Sequence, residues 1–497
     1  VKNELFSLFS SILFSAMIQK VFYFPQIFPI FQEAHDFFVN TKKQTATQHL
    51  FTNKQLRTLL VPIMVEQLLS SLMGTADTMM VSNVGSAAIS AVSLVDSINI
   101  LVIQALSALA AGGAILCSQY LGSEKRDGAI RSAQQVLFVM TVLSVALSAG
   151  CLIFRVPLLR VIFGAVEADV MKNSQVYFLF TLLSFPFIGL YDAGASILRA
   201  QNNSRSPMVI SVISNFMNIG GNAILIFGFH MGVEGAAIST LISRIFCAVV
   251  VLWKLRDESK PIFVKQYLSI RPDFGLIKKI LFIGIPSGIE NSMFQFGKLA
   301  IQSTVSTLGT VAIAAQAMTN ILENLNGVAA IGVGIGLMTV VGQCLGAGRK
   351  DEAIYYIKKL CWLSEVVIVA SCLLVFVLTK PITMIGGMEA ESAKLCMQMM
   401  IFITIAKPLC WVMAFVPGYG MRAAGDVKFS MITSCCTMWL CRVSLCIYLC
   451  RVWGFGPIAV WIGMAADWSL RSILFTIRFK SGKWLNHHLI EEKKQES

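Results

Sequence analysis

Long apolar runs, separated by short polar stretches, recur along almost the whole chain. They fall at 57–82, 87–112, 130–154, 174–198, 207–228, 234–254, 279–305, 311–340, 355–379, 396–420, 429–450 and 455–477. At about 1.5 Å per residue, runs of that length cover the roughly 30 Å of a bilayer's hydrocarbon. The pattern predicts an all-α polytopic membrane protein with twelve transmembrane helices.

The pattern also repeats. Laying Pro62 on Pro286 aligns the stretch to Ile130 with the stretch to Ile354 without a gap. Glu66 then falls on Glu290, Gly85 on Gly309, Gly112 on Gly336, Gln119 on Gln343, Gly122 on Gly346 and Asp127 on Asp351. Further on, 198-LRAQNNSRSPM-208 matches 421-MRAAGDVKFSM-431. Each repeat holds six spans, and because six is even both halves enter the membrane in the same sense. That is a parallel repeat, an arrangement that places a transporter's site between its halves. The expected organisation is an N-terminal extension at 1–54, six-helix lobes at 55–256 and 276–480, a basic linker at 257–275 and a polar tail at 481–497.

Composition agrees with this reading: 56% of the 497 residues are hydrophobic and 13% charged, with a mean hydropathy of +0.71. A net charge of +13 would point to nucleic acid in a soluble protein. Here the basic residues sit on alternate loops, among them Lys125 and Arg126, Arg199 and Arg205, Lys254 to Lys279, and Arg349 and Lys350. By the positive-inside rule both termini are cytoplasmic, and no nucleic-acid partner is expected. The thirteen cysteines make no paired CxxC set, and no phosphate-cradling Gly-rich loop is followed by a Lys. Neither an enzyme nor an ATP-driven machine is indicated, and no cofactor is expected. Residues 1–50 are apolar but broken by Lys20, Pro25 and Pro29. They read either as an interfacial helix or as an upstream extension from a misassigned start.

Acids inside spans are costly and mark ion or proton sites unless they are paired. Counted from the basic end at about 1.5 Å per residue, Asp77 lies in the outer half of the first span. Asn218 and Asn222, on one face of the fifth span, and Thr240 on the sixth reach a similar depth. A carboxylate, two amide oxygens and a hydroxyl suit Na⁺, and the carboxylate alone suits a proton. A structural acid at Asp77 and inter-helix bonding at the two Asn are the plainer readings. Asp96 could join this cluster or belong to a polar seam. Asp192 is expected to pair with Arg199. Glu66 and Glu290 fit packing as well as function. Glu290, Glu323 and Asp192 could face a substrate cavity, where Lys298 and Lys407 would be the main unpaired bases. Arg442, Asp467 and Arg471 are expected to form an internal ion-pair group. Ile301 stands where Asp77 stands in the first repeat, so any cation site is asymmetric.

The stretches PIMVEQLLSSLMGTADTMMVSNVG, SQYLGSEKRDGA, VGQCLGAGRKDEA, LRAQNNSRSPM, MNIGGNAILIFGF and MGVEGAAISTLIS together resemble the multidrug and toxic compound extrusion (MATE) family, in its bacterial DinF-like and NorM-like branch. The resemblance runs from about residue 55 to 485. It implies a monomeric, cation-coupled antiporter of the cell's inner or plasma membrane that exports amphipathic, often cationic compounds. It also implies a cation site at Asp77, with Asn218, Asn222, Thr240 and the backbone carbonyl of Ala236 as partners. Some members carry a second Asp where this chain has Asn222, which leaves H⁺ and Na⁺ both open as the coupling ion. The alternative is a lipid-linked glycan flippase of the same superfamily, for which a strongly cationic cavity would be expected.

Overall fold

The computed structural model describes residues 49–164, 167–267, 269–487 and 489–490, with the side chains of 75–78, 82 and 86 left out. The expectations for residues 1–48 and for the end of the tail lie outside the described residues, as does the side chain of Asp77. The helices all belong to one unit, Phe51–Ser497.

Among the described residues every regular element is a helix. The first half contributes α1 (Asn53–Ser82), α2 (Ser86–Gly122), α3 (Arg126–Ile153), a short α4 (Arg155–Phe163), α5 (Ala168–Ala200), α6 (Arg205–Asn222) and α7 (Val233–Lys254). The second contributes α8 (Phe274–Val305), α9 (Thr310–Gly346), α10 (Lys350–Ile385), α11 (Ala390–Ala424), α12 (Val427–Cys436), α13 (Ser444–Arg451) and α14 (Ile458–Lys480). Two π-helical segments interrupt corresponding spans. Ala223–Gly228 continues α6, and Thr437–Val443 joins α12 to α13. With each joined span counted once and α4 set aside, twelve membrane-crossing helices form two six-helix lobes.

Eleven of these are long and apolar enough to cross a bilayer by composition alone. The twelfth, α8, is 32 residues long but is diluted by Glu290, Asn291, Gln295 and Lys298, all of which line the cavity between the lobes. Several helices overrun the apolar runs: α2 continues to Gly122 and α9 to Gly346. A hydropathy pattern measures the thickness of the lipid, whereas a helix continues wherever its next turn finds packing.

Local sequence sets the starts. Thr52 and Gln55 form a capping box at α1, each side chain accepting from the other's backbone N–H, at 3.2 and 2.8 Å. Asp273 caps α8 by accepting from the N–H groups of Gly275 and Leu276. The repeat partners Gly85 and Gly309 precede α2 and α9 with φ of +136° and +92°, a conformation that favours glycine. Linker residues are tied to α3: Arg126 donates to the carbonyls of Pro261, Glu258 and Lys260, and Gln135 donates to that of Arg271.

The lobes meet through α1 against α9 and α2 against α8 and α9. Small residues permit the approach, as they do where helices associate without a hydrophobic driving force. A Cβ on Gly112 would lie 3.0 Å from the backbone N of Gly284, and one on Gly332 would lie 2.9 Å from the Cα of Met64. At the end bearing the basic loops the fit is closest. Cβ atoms on Gly122 and Gly346 would fall 2.0 and 1.9 Å from the carbonyl oxygens of Gln343 and Gln119. Beside them Gln119 donates to the Ala423 carbonyl at 2.8 Å, and Gln343 donates to the Ala200 carbonyl at 2.7 Å. In these two bonds each lobe supplies one donor and one acceptor, and Asn202 adds a third by donating to the Gln343 side-chain oxygen at 3.2 Å.

Candidate functional site

A cavity of about 790 Å³ lies between the lobes. Ser118 and Thr339, close in sequence to the contact just described, are among its lining residues. The N-terminal lobe lines it with Glu66, Asp192 and Arg199, and the C-terminal lobe with Glu290, Lys298, Glu323, Lys407, Arg422, Arg442 and Arg471. Aromatic residues on the second lobe, among them Phe294, Trp411, Phe415 and Trp468, complete the wall.

Both lobes hold a matching ion pair here. Arg199 on α5 reaches Glu66 on α1 at 2.7 Å, and Arg422 on α11 reaches Glu290 on α8 at 2.7 Å. Tyr191 adds a hydroxyl to Glu66 at 3.2 Å, and Ser430 adds one to Glu290 at 3.3 Å. The expected Asp192–Arg199 pair is thereby corrected. Those two residues are seven apart on one helix, about 10 Å along its axis, while Glu66 faces Arg199 from the neighbouring helix. Asp192 instead accepts from Ser107 at 2.6 Å.

The second lobe carries further charges. Lys407 is 1% exposed, reaches the Glu323 carboxylate at 2.5 Å and its carbonyl at 2.9 Å, and also bonds Asn326. Neither Glu323 nor Lys407 therefore stands alone. Arg471 pairs with Asp467 at 3.1 Å, and the same nitrogen donates to the Ser434 carbonyl and the Thr437 hydroxyl. Arg442 makes no ion pair within this expected group among the described residues; it leaves the backbone in the π-helical segment and lies 5.4 Å from the Phe294 ring, which Arg471 approaches at 5.8 Å.

In the N-terminal lobe, α6 and α7 pack together and bring part of the expected cation set into one chain of bonds. Asn218 donates to the Thr240 hydroxyl at 3.2 Å, and Thr240 donates to the Ala236 carbonyl at 3.0 Å. Ser239 donates to the Asn218 carbonyl at 2.8 Å and sits against Gly221, where a Cβ would lie 2.3 Å from its hydroxyl. Asn222 is fully buried on the last turn before the π-helical segment. Ala236 and Ala237 belong to a buried apolar cluster with Val81, Val92, Phe178 and Ile226, which fixes α7 against α1, α2 and α5. Asp77 lies in α1, four residues before Val81 of that cluster. Asp96 accepts from Asn99 at 3.1 Å and Tyr177 at 3.4 Å, so its hydrogen bonds run to α2 and α5.

Sequence reasoning missed the Glu–Arg partnership and the π-helical breaks. The first had a signal, because Glu66 with Arg199 and Glu290 with Arg422 recur as sets in the two repeats. The second had none. π-helical turns are frequent at functional sites, and these two lie beside Asn222 and around Arg442.

A family model described as MatE matches the chain at residues 62–224 and 286–448, the two halves of the repeat. A probable multidrug resistance protein NorM from Thermotoga maritima is 26% identical over 438 residues, covering 87% of this chain and 93% of that protein. The uncharacterized transporter YisQ of Bacillus subtilis is 27% identical over 441 residues, 85% of this chain and 93% of its own length. Among solved structures, a multidrug resistance MATE family transporter of the MOP superfamily in its outward-facing conformation superposes with a TM-score of 0.81 at 18% identity, covering 86% of this chain and 96% of that one.

Proposed function

Since the chain belongs to the MatE family, we propose that it is a cation-coupled antiporter that exports amphipathic, often cationic compounds by alternating access. The observation that carries this reading is the oxygen-rich chain of Asn218, Thr240 and the Ala236 carbonyl on two helices packed near the Asp77 segment of α1. The names of the relatives, a probable multidrug resistance protein among them, support the export of drugs or other toxic compounds. The basic loops support a cytoplasmic-membrane orientation with both termini inside. The protein works as a monomer in the bilayer, with H⁺ or Na⁺ as the coupling ion and no cofactor.

The mechanism is electrostatic. A cation arriving from outside neutralises Asp77, the surrounding α1, α6 and α7 repack, and the lobe contacts that favour substrate release become the lower-energy set. Substrate arriving from the cytoplasm favours the opposite set. Each positive charge carried inward contributes about 2.3 kcal/mol per 100 mV.

The test is dye efflux from vesicles under separately imposed Na⁺ and H⁺ gradients, with wild type and Asp77→Asn. Wild type is expected to export under one gradient, and the variant to insert and fold yet lose gradient-driven export. Full-rate pumping by the variant would remove Asp77 from the coupling site. Absence of flux under both gradients in wild type would remove the antiporter reading itself.

A further inference from the structure

Around Phe294 of α8 the C-terminal lobe gathers three cations. The Lys298 ammonium lies 5.2 Å from the ring centroid, the Arg442 guanidinium 5.4 Å and the Arg471 guanidinium 5.8 Å. Arg471 is compensated by Asp467. For Lys298 and Arg442, among the described residues, no acid comes within ion-pair distance and no acceptor takes a hydrogen bond from either. Arg442 is 6% exposed, and its buried Nε has no hydrogen-bond partner. Its backbone is hemmed in as well, since a Cβ on Gly463 of α14 would already lie 2.9 Å from its carbonyl oxygen.

The neighbouring acids do not cancel this charge. Glu323 lines the same space but is engaged by Lys407, and Asp467 is engaged by Arg471. Four cations therefore face two acids. Both Lys298 and Arg442 line the main cavity and also an adjoining one of about 250 Å³, whose other walls include the side-chain amides of Gln295, Gln302, Asn320 and Asn324. Ring surface lies alongside: Arg471 sits 4.8 Å from Phe415, which stacks on Trp411 at 4.9 Å. An open guanidinium donor buried in protein is costly unless a ligand supplies the acceptor, and a planar fork matches a carboxylate or a phosphate.

We propose that this end of the cavity is a subsite for one anionic group, carboxylate or phosphate, of an aromatic substrate, with Arg442 and Lys298 meeting the charge and Phe294 and Phe415 meeting the ring. It rests on the reading that this cavity carries substrate, and it names the residues that meet a substrate's acidic group. A polyanion is disfavoured, because Glu66, Asp192, Glu290 and Glu323 line the same cavity.

The test uses the full chain in nanodiscs of zwitterionic lipid and two matched probes, dansylglycine and dansylcadaverine, followed by energy transfer from the cavity's tryptophans. Wild type is expected to bind dansylglycine. Lys298→Gln and Arg442→Gln should each weaken that binding about tenfold, the loss expected for one charge-assisted hydrogen bond, and should tighten dansylcadaverine. Lys298→Gln alters an exposed residue, so it reports even if the buried Arg442 variant fails to fold. Equal weakening of both probes, or an unchanged dansylglycine affinity, would overturn the subsite. So would a wild type that binds only the amine. Efflux of a cationic dye by wild type separates the two ideas: export alongside charge-blind binding sinks the subsite alone, and no export of any compound sinks the transport reading.

Discussion

The two lobes share a scaffold and differ in what they present to the space between them. Glycines before α2 and α9, the Glu–Arg pairs at 2.7 Å, the π-helical breaks and the Gln119 and Gln343 contacts occur in both. Toward the cavity the first lobe offers Glu66, Asp192 and Arg199, and it keeps a neutral hydrogen-bonded chain, Asn218 to Thr240 to Ala236, among its own helices. The second offers cations stacked on aromatic rings. Aligning Gly232 with Gly456, which share φ values of +63° and +67°, puts Met464 where the first lobe has Thr240, and the repeat puts Ile301 where it has Asp77. Duplication preserved the parts that hold the lobes together and let these other positions diverge.

That division can be broken most sharply at the lobe contact. Gly122→Ala and Gly346→Ala each drive a methyl into a facing backbone carbonyl that has no side-chain freedom to yield. Each should cost about 5 kcal/mol or more and abolish export, and the two should behave alike. A tolerated substitution on one side, read by thermal unfolding and dye efflux, would show that the closure is not shared.

A smaller effect separates the lobes. Asp467→Asn leaves Arg471 buried beside its cation neighbours without its acid, at an expected loss of about 3 to 5 kcal/mol. The aligned position in the first lobe is Ser243, so no equivalent loss exists there. Asp467→Asn combined with Arg471→Gln should recover most of the stability. If it does not, Asp467 acts through something other than this pair.

The smallest effect tests likeness. Glu66→Gln and Glu290→Gln each remove the acid from a partly accessible pair and should cost about 1 to 3 kcal/mol, the range for a buried group losing a charged partner. Unfolding midpoints that fall together would confirm a common role. A wide gap would show that one pair has been recruited to other work.

Much of this was written in the chain. Twelve spans follow from hydropathy, and the two lobes follow from self-similarity, because lipid thickness and gene duplication both leave linear traces. The Asn218–Thr240–Ala236 grouping was reachable from depth and resemblance, since residues on adjacent antiparallel helices at one depth have few places to be except near each other. Partner choice was not legible in the same way. Arg199 is near Asp192 in sequence but meets Glu66 in space, and Lys407 gave no sign that Glu323 lies opposite. Those outcomes depend on the rotation of each helix about its axis, which packing sets. The same holds for Arg442, whose direction follows from a π-helical turn that no residue pattern announces.

The paired glutamines carry one more implication. Because each lobe lends the other a hydrogen bond and a glycine-sized gap, the contact behaves like a lock with two keys that turn only together. Prising one side apart leaves a buried amide without a partner, at about 1 to 3 kcal/mol, while the other side still holds. Such an arrangement resists small displacements at this contact, and releasing it would take the loss of both sides at once.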